Sequence, residues 1–313
     1  MKKLLYTLAT LAALAFAAGC AREVVGTDAV NGDTVEGTFT IALPENVATR
    51  AISDGTGATQ LLFRAYDTEG KMLTALSQDD VTVSGYNATV TVRLIKGVTY
   101  DFTFWAQTPN TYTIANDGTI TITPAAMMND DSYDAFYARV KGYLVTGPFN
   151  ESLTLTRPFA QVNVGAPQDD ITAAEASGLA VDGTLTSGYT INVANKFNLL
   201  DGTVDGADDV TLTKKAHITS QKLKVGDDTY EYVAMAYVLM PEPNAWTYDA
   251  TADALVKGTA TETKSTLESL GLDIYTLQNG SIDINLDRKV YNVPVQRNYR
   301  TNILGNIFSV EGT

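Results

Sequence analysis

The sequence predicts an all-β protein assembled as sandwiches, and three observations predict it. Threonine, valine, tyrosine and glycine fill short runs in which apolar and polar residues alternate, the period of a half-buried strand. Turn residues break these runs at close intervals. More than a dozen strand candidates result, too many for one small sandwich.

The strands are preceded by a different kind of segment. Residues 1–20 combine Lys2 and Lys3, about fifteen apolar residues and a small-residue end, which is the layout of a secretory signal and too short for a membrane span. Cys20, the chain's only cysteine, follows Ala17, Ala18 and Gly19 as in a lipobox. That placement predicts cleavage before Cys20 and acylation of its thiol and new amine; three acyl chains hold a protein on a membrane far more firmly than one. The alternative is an ordinary signal peptide cut near the same place, with Cys20 unmodified.

Without another cysteine the mature chain has no disulfide, thiolate metal site or thiol nucleophile, so buried apolar area must supply its stability. Roughly 290 mature residues suffice for two domains that each bury most of their unfolded surface. Loss of Lys2 and Lys3 takes the formal charge from -14 to -16, which repels nucleic acid and anionic headgroups.

Along the chain, Phe39, Ile41 and Leu43 alternate with Thr38, Thr40 and Ala42 as a first strand. Val81–Arg93 reads as a hairpin about Ser84–Asn87, and Tyr112–Thr123 as one about Asn116-Asp117-Gly118. Turn signals recur at Glu69-Gly70, Lys96-Gly97, Asp182-Gly183 and Asp201-Gly202. Two short helices are expected: Asp170–Gly178, with a capping aspartate and a terminal glycine, and a capping box at Ser265–Glu268 stopped by Gly271. The turn cluster Gly147-Pro148-Phe149-Asn150 separates the run Ala135–Val145 from a strand over Leu153–Val164 and is the expected domain boundary.

Residue types that carry catalysis are thinly represented. His217 is the only histidine, which nearly excludes a Ser-His-Asp triad or a multi-histidine zinc site, and it reads as a strand residue. Acidic doublets at Asp79-Asp80, Asp130-Asp131, Asp169-Asp170, Asp208-Asp209 and Asp227-Asp228 read as turn or helix-start residues. Asp201–Asp209 faintly resembles a calcium loop but has Leu212 where a bidentate glutamate is needed. Trp105 and Trp246 could serve as sugar platforms beside paired carboxylates, though nothing selects a pair and both fit a core. No metal, cofactor or enzymatic activity is expected.

Arg50 is isolated: between Arg22 and Arg64 there is no other lysine or arginine, and the segment that follows it is small and turn-rich. It reads as a trypsin-like processing site between Arg50 and Ala51 whose cleavage would release the segment bearing Phe39, Ile41 and Leu43. A solvated loop arginine is the plainer alternative.

Four stretches bear a family likeness: Ser132-Tyr-Asp-Ala-Phe-Tyr137, Thr154-Leu-Thr-Arg-Pro-Phe-Ala-Gln-Val-Asn-Val164, Tyr230-Glu-Tyr-Val-Ala-Met-Ala-Tyr-Val-Leu-Met-Pro241 and Val293-Pro-Val-Gln-Arg-Asn-Tyr-Arg-Thr-Asn-Ile-Leu-Gly305. Phe197-Asn-Leu-Leu-Asp-Gly202 adds a weaker fifth. With the lipobox and Arg50 they resemble the fimbrillin family of Bacteroidetes lipoproteins, subunits of type V pili. The resemblance implies two tandem transthyretin-like β-sandwiches: signal peptide 1–20, N-terminal propeptide 21–50 including a first strand, N-terminal sandwich 51–147 and C-terminal sandwich 148–313. It further implies an outer-membrane or surface location, lipid anchoring through Cys20, a trypsin-like processing protease, and polymerisation with other pilus subunits by strand donation. Leu304, Phe308 and Val310 would share one face of a donor strand, or finish the second sandwich. The expected function is a structural fimbria subunit in cell adhesion; the rivals are a non-polymerising outer-membrane lipoprotein that binds glycans or peptides, and a carbohydrate-active β-sandwich enzyme.

Overall fold

The computed structural model describes residues 32–44, 55, 57–123, 130–176, 186–213, 222–261, 264–278 and 281–308. It is an all-β molecule of two sandwiches with one α-helix among the described residues. The strands are β1 (Thr34–Ala42), β2 (Gln60–Tyr66), β3 (Gln78–Thr82), β4 (Asn87–Ile95), β5 (Thr99–Gln107), β6 (Thr119–Thr121), β7 (Ala135–Leu144), β8 (Phe149–Thr154) and β9 (Phe159–Pro167). After α1 (Gln168–Ala176) come β10 (Thr186–Asn198), β11 (Val204–Thr213), β12 (Lys222–Val225), β13 (Asp228–Leu239), β14 (Trp246–Asp249), β15 (Ala254–Lys257), β16 (Lys264–Gln278), β17 (Ser281–Gln296) and β18 (Arg300–Leu304).

In the first sandwich the sheet β4-β1-β8 faces the sheet β15-β14-β7-β5-β2-β3. Strict alternation along β4 buries Ala88, Val90, Val92 and Leu94, which meet Phe63, Phe102, Phe104 and Val140 from the opposite sheet. Glu151 closes one side: Tyr143 Oη donates to its Oε1 at 3.1 Å and the Leu255 N–H to its Oε2 at 3.1 Å, tying β8 to the edge of β15. Burial pushes the Tyr143 phenol well above its ordinary pKa, and the adjacent Glu151 carboxylate adds to the rise.

The second sandwich joins β12-β13-β9-β18 to β11-β10-β16-β17, with β6 also pairing with β10. Its core gathers Val162 and Val164 of β9, Val238 of β13, Val293 and Val295 of β17, and Ile171 of α1. The expected helix forms but begins at Gln168, so Asp170 lies with Asp169 inside its first turn and is not its cap, and Gly178 lies outside the described residues.

Several expectations are corrected. The turn at Gly147–Asn150 does not divide the sandwiches, because β8 beyond it pairs with β1, and β14 and β15 return to the sheet of β7. The chain leaves the first sandwich between Thr154 and Phe159, where Pro158 has no N–H for a ladder, so the single strand expected over Leu153–Val164 is β8 and β9. It returns between Leu239 and Trp246 and leaves again between Lys257 and Lys264. The capping box Ser265–Glu268 lies inside β16, because a long antiparallel ladder with β17 outweighs a local helix signal. Val81–Arg93 is not a hairpin: β3 pairs with β2 and β4 with β1, and the turn Ser84–Asn87 carries the chain from one sheet to the other.

Of the acidic doublets, Asp79-Asp80 lies within β3 and Asp208-Asp209 within β11, not at turns. Asp130 accepts hydrogen bonds from the Ser132 N–H and Oγ at a short 3-10 turn, as expected of a doublet there.

Candidate functional site

The arrangement that the sequence singles out for function is the first strand and its surroundings. β1 is the middle strand of its sheet, antiparallel to β4 from Thr34↔Ile95 to Ala42↔Asn87 and parallel to β8 from Gly37↔Phe149 to Ala42↔Thr154. Its ends are also tied, with the Leu43 N–H donating to Tyr86 O at 2.8 Å and the Leu155 N–H to Ala42 O at 2.9 Å. Phe39, Ile41 and Leu43 all face the core and are at most 3% exposed. The Phe39 ring lies 5.0 Å from Phe102, 5.2 Å from Phe104 and 5.2 Å from Phe149, centroid to centroid, within an aromatic cage. Burial of each such side chain contributes roughly 1.5–3 kcal/mol. β1 is therefore integral to the first sandwich, although the sequence places it before the candidate cleavage point.

Cys20, Arg50, Ala51, His217 and Val310 lie outside the described residues. Leu304 and Phe308 do not share a strand face. Leu304 ends β18, which runs parallel to β9, and the Gly305 N–H donates to Gly165 O at 3.2 Å. Asp170 Oδ2 then accepts the Ile307 N–H at 2.6 Å and the Phe308 N–H at 2.9 Å, and both side chains are buried in the second core. In this structure the segment finishes its own sandwich.

The five stretches that carry the family likeness converge elsewhere, on the seam between the sandwiches. Arg157 holds Asp134 through Nε, 2.9 and 2.8 Å from the two carboxylate oxygens, and through Nη2 at 2.8 Å, while its guanidinium lies 4.6 Å over the Phe136 ring. Arg297, completely buried, donates from Nη1 to Thr156 Oγ1 at 2.7 Å and to Arg157 O at 3.1 Å, and its Nη2 lies 2.7 Å from Glu242 Oε2. Lys257 Nζ approaches the same carboxylate at 3.2 Å, and the Asn244 N–H donates to Oε1 at 2.9 Å. Gly202 has φ +72°, and a Cβ there would stand 2.2 Å from Glu242 O, so only glycine fits the turn against this crossing.

Between these polar anchors lies an apolar layer in which Leu62, Trp105 and Tyr137 of the first sandwich meet Phe159, Phe197, Tyr232 and Leu239 of the second. The hydroxyl of Tyr137 donates to Leu199 O, and burial pushes its phenol far up. Trp105 is fully buried here with Nε1 donating to Gln107 Oε1 at 3.1 Å, so it is no sugar platform; Trp246 packs against the first core. The sequence marks these stretches without revealing that they are joints.

The remaining acidic candidates are engaged locally. Asp201 Oδ1 accepts from the Thr203 N–H and Oγ1, an Asx turn in place of a calcium loop. A cavity of about 340 Å³ between β3 and β4 is lined by Asp79 and Asp80, but Asp79 pairs with Arg64 and Asp80 accepts from Gln60.

Residues 27–313 match the model of a family of unknown function, DUF6562. The chain belongs to that family. No curated protein sequence matches this DUF6562 chain. Solved structures similar to it include a candidate polysaccharide-binding protein (DUF1812) from Bacteroides thetaiotaomicron VPI-5482, with 12% identity and a TM-score of 0.43 over 86% of this chain and 90% of that one. The fimbrial anchor protein Mfa2 from Porphyromonas gingivalis is similar at 14% identity and a TM-score of 0.37, over 80% of this chain and 82% of its own. The tip fimbrial protein Mfa3 from the same organism is similar at 14% identity and 0.39, over 83% and 81%.

Proposed function

We propose that this chain is a non-catalytic, lipid-anchored surface protein that serves as a fimbria subunit in cell adhesion, activated by cleavage after Arg50 and assembled by strand exchange. The observation that carries the reading is the position of β1. It is the middle strand of a three-stranded sheet, it supplies Phe39, Ile41 and Leu43 to the first core, and its sequence leads directly into the segment containing Arg50. Loss of β1 would leave β4 and β8 without a shared neighbour and open an aromatic slot to water. A strand from another subunit would restore both ladders and the apolar contacts.

Cleavage is the natural control on such an exchange. While β1 is covalently attached it competes with any incoming strand at high effective concentration. Limited trypsin treatment of the wild-type protein is expected to cut after Arg50 and yield high-mass ladders that dissociate on heating, whereas Arg50→Ala stays monomeric. Ladders forming equally from Arg50→Ala would refute cleavage as the switch. Cys20→Ala is expected to abolish acyl labelling and membrane retention; undiminished labelling would refute the anchor.

A further inference from the structure

The slot that β1 occupies makes a shape demand at one position. Gly37 stands opposite Phe149 in the parallel register of β1 and β8, on the same inward face as Phe39 and Ile41. A Cβ on residue 37 would lie 2.1 Å from Phe149 Cζ and 2.2 Å from Cε1, inside the ring's own volume. The ring is held where it is, 5.2 Å from Phe39 and 4.8 Å from Tyr143 between centroids, and both of those side chains are buried. An aromatic side chain that covers a glycine on the neighbouring strand is a known device for fixing strand register. Here the same ring also forms a wall of the Phe39 cage, so moving it aside to admit a side chain at residue 37 would open that cage.

We propose that Phe149 is the specificity-determining residue of the slot, and that it admits a strand of another protein carrying glycine two residues before a large aromatic, with bulky aliphatic residues two and four positions after it. This inference rests on the strand-exchange reading above. It also excludes one donor. Residues 302–313 lack the spacing: with Phe308 at the level of Phe39, Asn306 falls at the level of Gly37. With Gly305 at the glycine level, Ile307, Ser309 and Glu311 fall at the levels of Phe39, Ile41 and Leu43. Ile307 and Phe308 are moreover already bound to Asp170 in their own core. Residues 302–313 of a second copy therefore fit the slot poorly, and the proposal commits its occupant after cleavage to a strand of a different protein with the stated spacing.

Two measurements on the full chain test the proposal. In the intact protein, Gly37→Val is expected to lower the unfolding midpoint strongly, and to lower it much less in a Phe149→Ala background where the ring is gone; equal losses in both backgrounds would overturn the key. After trypsin treatment, a labelled peptide of residues 33–44 is expected to enter the slot, while its Gly37→Val version binds about tenfold or more weakly, the scale of an overpacked core position. Phe149→Ala protein should accept both peptides comparably. Equal uptake of both by the wild-type protein overturns the key and leaves strand exchange standing. Uptake of none, with the intact-chain coupling present, overturns strand exchange and the partner strand together and confines the Gly37–Phe149 fit to folding. Uptake of a 302–313 peptide as strong as that of 33–44 overturns the assignment of the donor to a different protein.

Discussion

Arg297 and Glu242 form an ion pair of 2.7 Å in which both side chains are at most 2% exposed. The pair joins the end of β17 to the segment that returns the chain from β13 to β14, so it spans the seam between the sandwiches. Two charges taken out of water need further partners, and here Thr156 and Arg157 O engage the guanidinium while Lys257 and the Asn244 N–H engage the carboxylate.

Removing one partner is therefore expected to be costly. Arg297→Met should lower unfolding stability by about 3–5 kcal/mol because Glu242 is left buried beside a single lysine. Arg297→Met combined with Glu242→Met should recover most of that loss in denaturant titrations; an additive loss would show that the pair is not coupled.

Within β1, Phe39→Ala should cost about 3–5 kcal/mol, the range for a buried aromatic truncated in a packed core. Thr40→Ala, one residue on and facing solvent, should stay within about 0.5 kcal/mol. Equal effects at the two positions would contradict the inward orientation of Phe39.

Stability should fall in alkali. Burial raises the phenols of Tyr112, Tyr137 and Tyr143 above the ordinary value of 10.0, so between that value and their folded pKa values the unfolded chain releases protons that the folded chain keeps. Their contribution is complete below pH 10 and is lost as the pH rises above it. Melting temperatures measured on either side of that pH, with phenolate absorbance followed in parallel, should show these tyrosines ionising only on unfolding.

Residues 151–313 expressed alone should aggregate. That fragment would uncover Phe159, Phe197, Tyr232 and Leu239, which rest on Leu62, Trp105 and Tyr137, and it would carry β14 and β15 without the sheet they extend. Co-expression with residues 21–150 should restore solubility, and a soluble, monomeric fragment would count against a shared apolar layer.

Alternation makes the strands legible: β1 and β4 fall where the residue pattern puts them, because a period of two is a local property. Pairing is not local. Nothing near Gly147 announces that β8 will lie parallel to β1, or that Trp246–Lys257 will rejoin a sheet begun by Gln60, and so the boundary inferred from a turn cluster misses. Arg157, Glu242 and Arg297 illustrate the same limit, since each stands in or beside a distinctive stretch while its partner is 15 to 141 residues away. Gly37 in a strand hints at a close approach, but only the structure supplies Phe149 as the reason.

The placement of β1 between an antiparallel and a parallel neighbour has a mechanical consequence. A pull along its axis loads the hydrogen bonds to β4 and to β8 in shear, so that they resist together instead of parting one after another as they would in a peeled hairpin. Tension entering there reaches the second sandwich through several covalent crossings, residues 155–158 and 240–245 among them, with the buried ion pair Arg297–Glu242 beside these two. A strand seated in that position is gripped hardest along its own axis.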